Sequence, residues 1–332
     1  MQDFKYKVKK AARCCVFFLI LIAVLMGMSI QLTKLSREND ELIQSRDKSL
    51  IKIQKEPENT VDVLMLGDSL CYTAFSPMQL WDQNGITSYI GGQSGQKINE
   101  TYYMLKTALE TQSPRLVVIE ADVLLRGQYG LTGLKEIIRE KGSHYFPVFR
   151  YHNVWKPLLM GTEYAEESYK GFMIRDTIAP YIGGEYMKAT DKQIKLSDFV
   201  TEYMNRIIQL CEEEEINLLL VSTPSPANYN YKKYNALKTY AKEHSLPYLD
   251  MNLKVKKLGL NWKADSLDKG DHVNLMGAVK ITRYLAEYLE KHYDLPDHRG
   301  DKAYEAWERE SREYKVKVKR KLEFMEKSLR SI

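Results

Sequence analysis

Five short apolar runs, "VDVLML" at 61–66, "TSYI" at 87–90, "RLVVIE" at 115–120, "NLLLVS" at 217–222 and "LPYLD" at 246–250, punctuate the middle of the chain. Runs this short suit strands better than helices, and between them lie amphipathic stretches of helical length. That alternation predicts a parallel sheet covered by helices, an α/β fold with three layers. Helices are expected near 76–83 and over 97–111, 198–214 and 231–244. A last helix is expected from about Leu275 to His292, where Val279, Ile281, Tyr284, Leu285, Tyr288 and Leu289 recur at helical spacing.

Ahead of this region lies a different signal. Lys5, Lys7, Lys9, Lys10 and Arg13 precede an uncharged run from Cys14 to Leu32. A helix of about 20 residues crosses the bilayer hydrocarbon, and basic flanks stay cytoplasmic. The run therefore reads as a single-pass cell-membrane anchor with its N-terminus cytoplasmic and the rest of the chain extracytoplasmic. "MGMSIQ" lacks the small-x-small pattern of a cleavage site, which favours an uncleaved anchor over a signal peptide. The expected organisation is a basic segment at 1–13, an anchor at 14–32, a polar spacer at 33–59, a folded domain at 60–296 and a charged helical tail at 297–332. Within the domain, about 122–197 breaks the alternation and reads as an insertion or substrate lid.

Of 332 residues 44% are hydrophobic, enough for a packed core. The net charge of +5 is spread rather than blocked, so no nucleic-acid partner is expected. Outside the anchor only Cys71 and Cys211 remain, and both are expected to be buried and unpaired.

Chemistry-bearing residues concentrate at two places. "GDSL" at 67–70 follows the first apolar run, so Ser69 falls beyond the carboxyl end of a strand, where open α/β sheets place their reactive groups. A serine hydroxyl needs a neighbouring base to act as a nucleophile. Of the six histidines, His272 stands apart: "DSLDKGDHVNLMGA" sets it in a loop before the last helix with Asp265, Asp268 and Asp271 upstream. A carboxylate there would fix the imidazole tautomer, although Asp and Asn also cap helices. The histidines lack the paired spacing of a metal site, and no metal or other cofactor is implied.

Together, the two segments resemble the two ends of the SGNH, or GDSL, hydrolase family, over about Val61 to Tyr293. The resemblance implies a flavodoxin-like α/β/α sandwich, the SGNH hydrolase fold, and the acyl-ester chemistry of esterases, lipases and thioesterases. It assigns Ser69 as nucleophile and oxyanion donor, Gly95 of "GGQSGQ" as a second oxyanion donor, and His272 as base. The family's Asp-x-x-His has one residue more here, so Asp268 is the preferred acid and Asp271 the alternative. Asn274 matches a His-x-Asn-x-x-Gly form of this block and is a candidate substrate contact. The third block departs from the family: "VVIEADVLLRG" has Asp122 in the region where a Gly-x-Asn-Asp is expected, and an anionic carboxylate cannot supply an amide donor.

With the anchor and insertion, that departure is similar to the DltD-like and alginate-acetylation-type branch. That resemblance implies work on a cell-envelope polymer or acylated glycan, at the membrane, beside a membrane-bound O-acyltransferase. In "FRYHNVWKPL", Arg150, His152 and Trp155 are candidate sugar or polymer contacts. The expectation is a serine O-acylesterase or O-acyltransferase; the alternative is a non-catalytic SGNH-like scaffold that binds envelope polymer or an acyltransferase.

Overall fold

The computed structural model describes residues 2–127, 130–164 and 168–330. Five parallel strands form one sheet: β1 Val63–Gly67, β2 Ser88–Gly92, β3 Leu116–Glu120, β4 Asn217–Ser222 and β5 Tyr248–Asp250. Their order is β2-β1-β3-β4-β5, the flavodoxin-like arrangement, with Val63 opposite both Ser88 and Leu116. Successive side chains point to opposite faces, and here both faces are covered. Val63, Met65, Val118, Leu219 and Val221 enter one core, while Leu64, Leu66, Val117, Leu218 and Leu220 enter the other. Strands buried on both faces read as continuous apolar runs, which is why they stand out in the sequence.

Thirteen α-helices among the described residues complete the fold. In chain order the first eight are α1 Gln2–Glu38, α2 Ser45–Ile53, α3 Ser69–Ala74, α4 Pro77–Asn84, α5 Ile98–Ala108, α6 Gly130–Tyr145, α7 Val148–Tyr151 and α8 Trp155–Met160. The rest are α9 Asp198–Glu213, α10 Tyr231–Glu243, α11 Val255–Leu258, α12 Leu275–His292 and α13 Glu305–Arg330. Helices α4, α12 and α13 pack on one side of the sheet, and α5, α9 and α10 on the other. Helix α1 is long and apolar enough to cross a membrane.

Two segments depart from their expected roles. The polar stretch at 33–59 is only partly a spacer: α1 runs on to Glu38, and α2 buries Leu50 and Ile53 against β2 and α5 and Ile51 against Tyr151 and Val154. A sparse apolar pattern suffices here because Leu50 and Ile53 lie one turn apart and share a face. In the charged tail, α13 buries Trp307, Tyr314, Val318 and Met325, residues spaced to form one stripe, and packs on α4. Only its outer face is solvated.

The insertion divides in two. Helix α7 packs against α1 and α6 against α7, with α8 following in the chain, whereas 168–187 form an extended strap. Its Met173 N–H donates to Tyr72 O, Ala179 N–H to Ser266 O, and Leu275 N–H to Arg175 O. The strap therefore joins the segments that carry Ser69 and His272.

Candidate active site

Strand β1 ends at Gly67 with little room around it: a Cβ there would lie 2.7 Å from Glu120 Cβ and 2.8 Å from Cys71 Cβ. Asp68 caps α3 by accepting the Leu70 N–H at 2.9 Å, so Ser69 becomes the first residue of that helix. Opposite Ser69, Asn274 caps α12 through the N–H groups of Met276 and Gly277, placing His272 just before it. The β-bridge between Ser266 and Val273 closes the intervening loop, with Lys269 at φ 62° and Gly270 at φ 95°. Those left-handed residues absorb the extra position between acid and base.

The result is a continuous hydrogen-bonded chain. His272 Nε2 lies 2.7 Å from Ser69 Oγ, and His272 Nδ1 lies 2.6 Å from Asp268 Oδ2. With Nδ1–H donating to the carboxylate, Nε2 is left to accept the serine proton. Asp268 Oδ1 also accepts the His272 main-chain N–H at 2.7 Å. Asp271 stands 3.7 Å from Nδ1 and accepts instead from the Asn228 amide. Asp268, Asp271 and His272 bring their ligating atoms within 4.8 Å of one another, a closeness these hydrogen bonds account for.

Beneath the serine lies a group of charges. Arg126 pairs with Asp68 and, at 2.9 Å, with Asp122. Burial, followed by the charge of Asp122, pushes the Asp68 carboxyl up to about 6. Burial likewise holds the Glu120 carboxyl well above its ordinary value, with Asp68 and Asp122 adding to the shift. Glu120 accepts the N–H and the hydroxyl of Thr223 and the N–H of Asp122. The segment after β3 thus contains an ionic pair where the sequence resemblance implies an amide donor. Arg126 is the residue that motif matching misses; its sequence signal is the i, i+4 spacing from Asp122.

Gly95 lies in the loop after β2 with φ 62°. Arg46 of α2 donates to Ser94 O at 2.9 Å in that loop and pairs with Glu100 at the start of α5. Several other candidates stand elsewhere. Asn274 is fully buried, and its amide nitrogen donates to the carbonyls of Ala264, Ser266 and Thr177, so it caps and ties the loop rather than meeting substrate. Arg150 is locked between Asp47 and Glu140. His152 bonds Phe149 O, and Trp155 is exposed on α8. All three fall in the α7–α8 part of the insertion, with Arg150 nearly buried there, because an aromatic-rich stretch reads alike in a sugar site and in a packed insertion. Cys71 and Cys211 are buried and free.

No family model matches the chain, and no curated protein does. Solved structures do. The lipase/acylhydrolase from Enterococcus faecalis is 12% identical, with 71% of this chain and 99% of that one covered and a TM-score of 0.39. A GDSL-like lipase from Bacteroides thetaiotaomicron is 14% identical, over 69% and 87% of the two chains, at 0.35. An acetyl xylan esterase is 14% identical, over 69% and 98%, at 0.36. The fold is read from the strand order of this chain itself.

Proposed function

We propose that this chain is an SGNH-family serine enzyme, anchored in the cell membrane by α1, that cleaves or transfers acyl groups on a cell-envelope polysaccharide or teichoic-acid-like polymer. The observation that carries this reading is the unbroken path from Ser69 Oγ through His272 to Asp268. In the proposed reaction Ser69 Oγ attacks the ester carbonyl while His272 Nε2 takes its proton. A tetrahedral oxyanion forms, held by the N–H groups of Ser69 and Gly95. His272 then returns the proton to the leaving alkoxide, and the acyl group stays on Ser69. Asp268 keeps Nδ1 protonated and stabilises the imidazolium formed in each step. Water as the second acceptor makes the protein an O-acylesterase; a polymer hydroxyl makes it an O-acyltransferase, and a membrane-bound O-acyltransferase is the partner that would supply acyl groups.

The test is labelling of the full chain in detergent with a fluorophosphonate, comparing native protein with Ser69→Ala and His272→Ala. Labelling that needs both residues supports an activated serine. A second reading, a non-catalytic scaffold for envelope polymer or an acyltransferase, is favoured by the carboxylate at Asp122 where an amide donor is expected. Folded native protein that resists labelling, with polymer binding intact in Ser69→Ala, would select the scaffold.

A further inference from the structure

Helix α6 is amphipathic in the wrong sense for a helix facing water. It buries Gly133, Glu140 and Ser143 and exposes Leu131, Leu134, Ile138 and Tyr145. Leu131, Leu134, Ile138 and Tyr145 fall close to one helical face. Helix α8 continues the pattern, with Leu159 and Met160 76% and 77% exposed beside the half-exposed Trp155 and Leu158. An exposed apolar surface of this extent marks an interaction site.

The position of this surface identifies what covers it. Val148 N–H, at the start of α7, donates to Ser29 Oγ of α1 at 3.1 Å. Ser29 is three residues short of Leu32, where the apolar run ends, so the contact lies about 4.5 Å inside that end at 1.5 Å per residue. A groove of about 630 Å³ runs along α1 across this level, from Met26 to Glu38, with His144, Tyr145 and Pro147 as its other wall. Helix α7 therefore starts at the depth where hydrocarbon meets headgroups. Tyr145 and Trp155 are the ring types that favour this boundary, and Lys141 and Lys156 can extend their ammonium groups toward headgroup phosphates.

We propose that α6–α8 form a platform seated in the outer leaflet beside α1, so that a lipid bilayer covers their apolar surface. This inference rests on the reading of α1 as a membrane span. It deepens the proposed function, because the polar side of α6 reaches the candidate site: Glu136 pairs with Lys97 at 3.5 Å and Arg139 with Glu100 at 3.4 Å, just after the Gly95 loop. Seating the platform braces that loop at the bilayer surface, where the enzyme would take acyl esters presented at headgroup depth.

The test uses the full chain with Cys14→Ser and Cys15→Ser, reconstituted in phosphatidylcholine–phosphatidylglycerol nanodiscs. A nitrobenzoxadiazole probe is placed at Leu159→Cys, at Phe149→Cys as a second platform position, at Val24→Cys within α1, or at Lys238→Cys on α10. Quenching is read with lipids spin-labelled at shallow or deep acyl positions. The expected result is strong shallow quenching at Leu159 and Phe149, deep quenching at Val24, and none at Lys238. Quenching at Val24 with none at the platform positions overturns the platform and leaves the anchor standing. Absence of quenching at Val24 removes the anchor reading and the platform with it. Blue-shifted but unquenched probes at Leu159 and Phe149 assign the surface to a protein partner and overturn the proposal.

Discussion

Asp268 grips His272 twice, with Oδ1 on the main-chain N–H at 2.7 Å and Oδ2 on Nδ1 at 2.6 Å. The two bonds fix both the loop and the ring, so one carboxylate sets the tautomer and the direction of Nε2. Asp271, adjacent to the histidine in sequence, has its carboxylate drawn toward Asn228.

The two acids should therefore differ sharply on substitution. Asp268→Asn is expected to lower kcat/KM for a p-nitrophenyl ester by about 10³–10⁴-fold, the scale of losing the group that fixes a catalytic histidine. Asp271→Asn should stay within a few-fold of native. Equal losses, or a larger loss at Asp271, would reverse the assignment of the acid.

This pair also illustrates what a sequence of this kind discloses. The strands and both ends of the candidate site are legible because β1 must be apolar on both faces and because Ser69 and His272 sit in short polar segments at element boundaries. The acid is ambiguous from spacing alone, since the left-handed turn at Lys269 and Gly270 decides which carboxylate reaches the ring. Arg126 is hidden for a related reason: its role depends on Asp68, a partner far away in sequence. The stripe on α13 is diluted by lysines and glutamates, and its burial becomes visible only against Trp81 and Tyr169.

The charges beneath Ser69 make a stability prediction with a definite sign. Burial raises the Asp68 carboxyl from an ordinary value of 3.8 to about 6 and raises Glu120 in the same direction. Between these values the two carboxyls bind more protons in the folded protein than in the unfolded chain, so their contribution to stability falls as pH rises from about 4 to about 6. Urea midpoints measured across that window should carry this decline, and Asp68→Asn, which retains a capping side chain, should remove part of it. Arg126→Met removes the cation shared by Asp68 and Asp122. Its expected cost at neutral pH is about 2–3 kcal/mol, below the range for fully buried pairs because the guanidinium is partly exposed. An Asp68→Asn midpoint with the same pH slope as the native protein would contradict the assignment.

The tail should behave as part of the domain. Trp307 is buried with its ring 5.7 Å from that of Trp81, and Tyr314 hydroxyl accepts from Ser76 Oγ at 2.7 Å, just beyond the helix that begins with Ser69. Trp307→Ala is expected to destabilise by about 3–5 kcal/mol, the usual cost of emptying a large aromatic site. Urea titration of the full chain checks this; a change below about 1 kcal/mol would mean that α13 is not held to the domain.

The loop that presents His272 can be tested through its backbone. At Gly270, with φ 95°, an added Cβ would lie 2.7 Å from the Tyr181 ring and 3.1 Å from Pro226 Cγ. Gly270→Ala must therefore shift either the strap at Tyr181 or the loop, and the adjoining His272 moves with it. A displacement near 1 Å at a reacting group costs on the order of 10²-fold in rate, whereas the stability penalty of one left-handed alanine is only about 1–2 kcal/mol. Activity should consequently fall by about 10²-fold, about 2.7 kcal/mol, more than the backbone strain alone. At the neighbouring Lys269, already left-handed at φ 62°, relief of backbone strain and added chain entropy oppose each other. Lys269→Gly should leave both readouts within about 0.5 kcal/mol of native. Should Gly270→Ala retain full fluorophosphonate reactivity, positioning of His272 by this turn would be disproved, and the loop geometry would have to be credited to the cap at Asn274 alone.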